Sequence, residues 1–410
     1  MKGLLFLPFL LIFIFPSCKK ETPLPEPKPI NLNLKAKEVV VANNQFGLEL
    51  FKQIADTGIT QTNLMISPLS VSTALSMTYN GANGETKEAF DNTLHFEGLS
   101  LEEVNESAKD LTDALLSVDS KVTLNIANSI WYKKEFSVES GFIDRNKTYY
   151  NAEVQSLDFG APQSVNTINS WVYEQTNNKI DKIVESLNHE DRMLLINAIY
   201  FKGDWRNKFD VSETASKPFY LENGESVSAQ MMQTIGTYPY FENDILDALE
   251  MPYGRGNFSM VVLLPKENHK VKEILDTLNS EIWNSWLEGF VPVDDVPVSF
   301  PKFKFDYDKS LKDALSALGL SVAFTDDADF TGINKDGGLT ISEVKHKTYI
   351  NVDEEGTEAA AVTAVTVGTT SAGPGYPFVA DHPFVFIIKE KYTNAILFIG
   401  VVANPNLDGK

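Results

Sequence analysis

The chain has 410 residues, of which 43% are hydrophobic and 11% aromatic, and its net charge is -21. This composition supports a large buried core and excludes intrinsic disorder over most of the length. The acidic balance argues against nucleic-acid binding, because phosphates require a basic surface.

The N-terminus is typical of an export signal. The basic start Met1-Lys2 precedes an apolar run over 3–15 that is too short for a membrane span. Cys18, the single cysteine, follows Ser17 and resembles the lipidated cysteine of bacterial lipoproteins. We therefore predict a lipoprotein-type signal peptide over 1–17 and lipidation of Cys18. The alternative is an ordinary signal peptide that contains a cysteine.

A proline-rich segment and a folded domain follow. Prolines at 23, 25, 27 and 29 predict an extended tether over 18–36. Apolar residues at helical spacing then predict helices over 37–55, 67–79, 85–94, 101–118, 165–176 and 311–318. Alternating or continuous apolar runs predict strands over 122–132, 153–159, 193–201, 258–264, 296–305, 339–352, 383–389 and 395–403. Helices first and strands later indicate an α+β fold in one large domain over 37–410.

Patterns that carry enzymatic chemistry are missing from the sequence. The five histidines are scattered, without the spacing of metal ligands. There is no nucleophile elbow and no glycine-rich nucleotide loop. We predict a protein that is not an enzyme and that needs no metal or cofactor.

The segment 359–380 carries no charge. Its first half, through Val367, is rich in alanine and β-branched residues, which favour a buried strand. Its second half, from Gly368 to Gly375, is rich in residues that favour exposed loops. This combination indicates a segment that can move from an exposed loop into a sheet.

Four segments, in order along the chain, resemble the serpin family. They are Asn63-Leu64-Met65-Ile66-Ser67-Pro68-Leu69-Ser70, Asn197-Ala198-Ile199-Tyr200-Phe201-Lys202-Gly203-Asp204-Trp205, Glu354-Glu355-Gly356-Thr357-Glu358-Ala359-Ala360-Ala361, and Asp381-His382-Pro383-Phe384-Val385-Phe386 with the C-terminal Phe398–Pro405. The resemblance implies three β-sheets with surrounding helices and an exposed reactive-centre loop at about 354–380. It also implies a protease inhibitor in which the cut loop inserts into the central sheet and traps the protease as an acyl-enzyme.

The resemblance also implies conformational roles for residues other than those of the scissile bond. The hinge of the loop corresponds to Glu354, Gly356, Thr357, Glu358, Ala359, Ala360 and Ala361. A polar cluster beneath the opening sheet corresponds to Ser67, Ser70, Asn197 and His346. Glu354 with Lys302, near Trp205, corresponds to the salt-bridged point where the loop enters the sheet. Taken singly, each polar residue could equally be a satisfied structural group.

The inserted strand must tolerate burial. Counting in twos from Thr357 to Val367, one face holds only small or β-branched, uncharged residues, so its burial costs no charge desolvation. The other face carries one charge, at Glu358.

Two ways of counting give the bond that a protease would cut. Serpin spacing counted forward from Gly356 gives the bond between Thr370 and Ser371, whereas counting back from Pro383 gives Ala372; Thr369 is a further alternative. These residues are small and uncharged, which favours a shallow apolar pocket. We expect elastase-like or subtilisin-like serine proteases as targets, and papain-like cysteine proteases as the alternative.

The remaining expectations concern the setting of the protein. We predict a monomer without nucleic-acid partners, held at the membrane through its N-terminal lipid in the bacterial cell envelope, at the outer membrane or the cell surface. The competing hypothesis is a non-inhibitory serpin-fold protein that binds ligands at the surface.

Overall fold

The computed structural model describes residues 25–56, 62–188, 190–358 and 377–407. The predicted signal peptide, Cys18, the hinge alanines 359–361 and the predicted scissile positions 369–372 lie outside the described residues. Within the described ranges, no helix is long and apolar enough to cross a membrane.

The helices of the first third follow their sequence signals. Ser67 caps the second helix, its hydroxyl accepting from the Ser70 N–H, and Pro68 occupies the first turn. Ser100 and Glu103 form a reciprocal capping box at the fourth. In the described ranges the helices are α1 (Leu34–Ala55), α2 (Pro68–Tyr79), α3 (Gly84–Thr93), α4 (Leu101–Ser117), α5 (Ser140–Tyr150), α6 (Pro162–Gln175), α7 (Val271–Thr277), α8 (Ser280–Glu288) and α9 (Lys312–Leu315).

Strands form most of the rest. They are β1 (Leu64–Ile66), β2 (Val122–Lys133), β3 (Glu153–Leu157), β4 (Met193–Asp204), β5 (Ala215–Tyr220), β6 (Ser226–Glu242), β7 (Leu246–Tyr253), β8 (Phe258–Pro265), β9 (Val291–Pro301), β10 (Phe303–Ser310), β11 (Lys345–Val352), β12 (Gly356–Thr357), β13 (Phe378–Val379), β14 (Phe384–Glu390) and β15 (Ile396–Val402). One sheet has the order β10-β11-β12-β4-β2-β3, and the other β1-β15-β14-β8-β7-β6-β9-β13 with β5 on β6.

The three sheets of the predicted α+β fold appear as these two because β6 is shared. One part of this 17-residue strand pairs with β5 and β9, and its last residues pair with β7 as well. A register shift between Gly236 and Tyr238 marks the change. The two halves of the larger sheet are therefore hydrogen-bonded into one.

Several boundaries differ from the sequence expectation. The strand predicted over 296–305 is two strands, because the chain breaks at Lys302 and β9 and β10 join different sheets. The strand predicted over 339–352 begins only at Lys345. The strands β5, β6 and β7 and the helices α5, α7 and α8 were not predicted. The first helix begins at Leu34, before the predicted domain boundary at 37.

The described part of the predicted tether lies on the body. The Lys28 N–H donates to Asn257 Oδ1 at 2.9 Å, and Asn257 Nδ2 donates to the Lys28 carbonyl at 2.7 Å. Ile30 and Leu32 pack against the core of the larger sheet.

Helices cover both faces of the six-stranded sheet and so position the site. On the outer face, Ile168 and Val172 of α6 pack with Trp131 of β2 and with Ile196 and Ala198 of β4. The intervening side chain, Asn197, points to the opposite face, where α2 lies. This alternation follows from the two-residue period of a strand.

Candidate functional site: the hinge and the sheet that it enters

The hinge is already paired into the six-stranded sheet over its first residues. After β11 the chain turns at Asp353, whose N–H donates to the Gly356 carbonyl at 3.0 Å. In β12, Thr357 pairs with Val352 of β11 on one side and with Gly203 of β4 on the other. A Cβ on Gly356 would stand 2.1 Å from the Gly203 carbonyl oxygen, so this position requires glycine.

Thr357 is buried against an aromatic pair. Its side-chain oxygen lies 2.5 Å from the Tyr253 hydroxyl, and Tyr253 stacks on Trp205 with ring centroids 4.4 Å apart. Trp205 in turn donates its Nε1–H to the Asp353 carbonyl at 2.9 Å and its backbone N–H to the Glu355 carbonyl at 2.8 Å. Trp205 therefore lies at the point where the loop enters the sheet, together with Tyr253, which the sequence did not suggest.

The turn before β12 is held by two ion pairs. Lys302 Nζ lies 2.7 Å from Glu354 Oε2, and the Thr214 hydroxyl donates to the other oxygen at 2.8 Å. Burial alone would raise the pKa of Glu354, but the hydrogen bonds from Lys302 and Thr214 outweigh it and hold that pKa below its usual value. The neighbouring Glu355 pairs with Lys208.

Glu358, the last described residue of the hinge, lies outside the strand geometry. It has a φ of 55°, in the left-handed region, and its carboxylate lies 2.5 Å from Lys179 Nζ. Burial raises the pKa of the Glu358 carboxyl, and the Lys179 ammonium opposes that rise.

The predicted polar cluster forms a connected network under the sheet. The Ser67 N–H donates to His346 Nε2 at 3.0 Å, the Ser67 hydroxyl accepts from the Ser70 N–H at 3.2 Å, and the Ser70 hydroxyl donates to Asn197. Burial lowers the pKa of His346 to about 4, so the imidazole is neutral at physiological pH and accepts through Nε2. Asn128, absent from the predicted set, accepts from Asn197 Nδ2 at 2.6 Å.

The hinge and this network lie at opposite ends of a gap between β4 and β11. Both strands are antiparallel to β12, so they run in the same direction, with the hinge at their carboxyl ends. Below β12 the gap contains a cavity of about 700 Å³, whose lining includes Asn197 and His346. Among the described residues no cluster of acidic, histidine or cysteine side chains could hold a metal ion.

Sequence comparison assigns this architecture. A family model described as serpin (serine protease inhibitor) matches residues 41–405. The chain belongs to the serpin family. It is similar to the leukocyte elastase inhibitor of Bos taurus, at 35% identity over 379 residues that cover 90% of this chain and 100% of that protein.

Solved structures of serpins share the fold. The thermophilic serpin tengpin in its native state has a TM-score of 0.83 at 32% identity, covering 92% of this chain and 97% of that one. Human thyroxine-binding globulin complexed with thyroxine also has a TM-score of 0.83, at 28% identity, covering 91% and 100%. The serpins similar to this chain thus include an elastase inhibitor and a thyroxine-binding protein.

Proposed function

We propose that this serpin inhibits a protease by inserting its cut reactive-centre loop into the six-stranded sheet. The observation that carries the proposal is β12, because the first residues of the loop are already hydrogen-bonded between β11 and β4. The added strand would extend from a start that exists in the uncut protein, as in other cases of strand addition.

The space below β12 suits such a strand. The cavity of about 700 Å³ is lined by the first residues of β4 (193–197) and of β11 (Lys345 and His346), so the register of β12 places the later part of an inserted strand, from about residue 363, in it. The residues that would be inserted, from Ala359 to Val367, carry no charge, so their burial costs no charge desolvation.

The target protease supplies the catalytic groups for cleavage of the loop. Its nucleophile attacks the carbonyl of the residue before the scissile bond, which we propose to be Thr370, and Ser371 leaves with the new amino terminus. Thr369 and Ala372 are the alternatives. Insertion then moves the acyl-enzyme away from the loop's original position before water hydrolyses it. The small, uncharged residues favour an elastase-like or subtilisin-like target, and the similarity to a leukocyte elastase inhibitor supports that class.

The test is incubation with an elastase, followed by denaturing electrophoresis and mass spectrometry. We expect a covalent complex whose mass is that of the two proteins together minus the C-terminal peptide, and a released peptide that begins at Ser371. Subtilisin and papain incubated in parallel distinguish the serine from the cysteine class. Complete loop cleavage without a complex in any arm would reject inhibition.

A carrier function is the second candidate, supported by the similarity to thyroxine-binding globulin. The measurement that separates the two is the thermal midpoint after the loop is cut by a protease that is not trapped. Insertion is expected to raise the midpoint strongly, whereas an unchanged midpoint would favour a carrier whose loop stays outside the sheet.

We also propose that the protein is a lipid-anchored monomer of the cell envelope, with Cys18 as the lipidated residue. Metabolic labelling with a radioactive fatty acid is expected to mark the wild type and not Cys18→Ser. Equal labelling of both would reject this anchor.

A further inference from the structure

Glu358, the last described residue of the hinge, differs in backbone conformation from Thr357. Thr357 is paired on both sides, whereas Glu358 keeps one backbone bond to β11, its N–H donating to the Asn351 carbonyl at 2.6 Å, and turns into the left-handed region at a φ of 55°. This conformation is strained for a residue other than glycine, so interactions must hold it. The side chain of Glu358 is only 9% exposed.

The charged partner of the Glu358 carboxylate is Lys179, from the segment that links α6 to β4, and the Tyr200 hydroxyl also bonds that carboxylate. The Lys179 ammonium lies 2.5 Å from Glu358 Oε1. Two consecutive asparagines with positive φ, Asn177 at 51° and Asn178 at 65°, shape the turn that presents it. The Asn178 N–H donates to the Tyr173 carbonyl at 2.7 Å and fixes the same turn. The hydrogen-bonded turn thus fixes the position of Lys179 next to Glu358.

This contact spans the gap between the two strands that the loop must separate. Lys179 Nζ lies 5.5 Å from the ring centroid of Tyr349 on β11. On the other side, Asn177 Nδ2 donates to the hydroxyl of Tyr200 on β4 at 3.0 Å. Further along, Lys347 of β11 donates to the Lys182 carbonyl at 3.3 Å. The segment therefore ties β11 to β4 immediately below Thr357.

We propose that Lys179 is a positioning residue that stops loop insertion at Glu358 until the loop is cut. The inference rests on the proposed insertion mechanism and names the group that keeps the uncut protein from inserting further. Pairing of Ala359 and later residues requires Glu358 to become extended, which breaks the turn that the ion pair holds. Loss of the ion pair weakens the hold on the left-handed backbone of Glu358 and removes the contact of Lys179 across the gap, while the bonds of Asn177 and Lys182 remain, so both changes favour insertion.

The test is the rate at which the uncut protein converts spontaneously to the inserted form, followed on native gels in urea. Lys179→Met keeps the length of the side chain and is expected to convert about fivefold faster than the wild type. Glu358→Gln should accelerate conversion similarly, and the double variant should convert no faster than either single variant.

Lys182→Met is the matched control, because Lys182 lies on the same segment and pairs with Glu185 at the surface, 3.4 Å away. It should convert at the wild-type rate. A K179M protein that converts no faster than the wild type, including the case in which neither converts, would overturn the proposal. So would additive effects of the two single variants.

The readout separates this inference from inhibition itself, since spontaneous conversion requires no protease. If the wild type forms no complex with any protease but K179M converts faster, the proposed inhibition is rejected and the proposed role of Lys179 is supported. If the wild type traps elastase and K179M equals it in conversion rate and in stoichiometry of inhibition, the proposed role of Lys179 is rejected and inhibition is supported.

Discussion

The two ends of the gap between β4 and β11 are closed by different chemistry. At the hinge, ion pairs on Glu354, Glu355 and Glu358 hold the turn, and the lysines that make them are partly exposed. At the far end, a neutral network through Ser67 and His346 is buried under the sheet. The gap is thus bounded at the hinge by ion pairs whose lysines are partly exposed, and at the far end by neutral hydrogen bonds in the interior.

The difference teaches where each end is vulnerable. An ion pair between a buried carboxylate and a partly exposed lysine costs less to open than a fully buried pair, because water can solvate the lysine again. A buried network that opens leaves donors and acceptors without partners, which costs about 1–3 kcal/mol for each group. We therefore expect the contacts of the hinge to open at a lower cost in free energy than those of the far end.

The largest expected effect is at Thr357, which is 3% exposed and bonded to Tyr253. In Thr357→Arg, a guanidinium would have to enter this apolar site, so the hinge should leave the sheet and insertion should fail at its first step. We expect the elastase complex to disappear and the cut protein to gain no thermal stability.

Thr357→Val is the matched control, because it keeps the shape and removes only the hydroxyl. It should still form the complex. A Thr357→Arg protein that traps elastase as the wild type does would contradict insertion at this position.

The fold was predictable to a larger extent than the site. Strong periodicity predicted β2, β4 and the helices α2 and α4, whose bounds agree within a few residues. The region of β5 to β7 was missed, because β6 is long and carries both an irregularity at Gly236 and proline at 239. Such breaks interrupt the alternation on which strand prediction depends.

The structure brings Glu354, Lys302 and Trp205 together, as the resemblance to the serpin family implies, and their role in insertion stays a prediction. Tyr253 and Lys179 could not be predicted in the same way. Lys179 lies in an irregular segment after α6, and its partner Glu358 is far along the chain. Contacts of this kind depend on tertiary placement, which no local pattern encodes.

The second prediction concerns the far end and its dependence on pH. Because burial lowers the pKa of His346 from 6.5 to about 4, the unfolded chain binds a proton in this range that the folded protein resists. Stability should therefore be fully present above pH 6.5 and fall as the pH decreases towards 4, with a total loss on the order of 3 kcal/mol. The measurement is the urea midpoint of the first unfolding transition at pH 7 and pH 5.

His346→Gln separates the contribution of His346 to the acid sensitivity from that of carboxylates that titrate in the same pH range. The amide oxygen of glutamine can still accept from Ser67, but the side chain does not titrate. The decrease between pH 7 and pH 5 should be smaller in this variant than in the wild type. Equal decreases in the two proteins would show that another group causes the acid sensitivity.

The smallest expected effect is at Lys302, at the hinge end. Lys302→Met removes the ammonium that lies 2.7 Å from Glu354, whose side chain is 7% exposed, but leaves the hydrogen bond from Thr214 in place. We expect a loss of about 1–2 kcal/mol, between that of an exposed pair and that of a fully buried one. Lys208→Met, which removes the pair with the more exposed Glu355, should cost less.

Because the carboxylate of Glu354 would have no cationic partner in K302M, the loss of stability should become smaller as the pH falls and that carboxylate is protonated. If K208M were the more damaging variant, the turn would depend on Glu355, and the hinge would be held mainly from its exposed side.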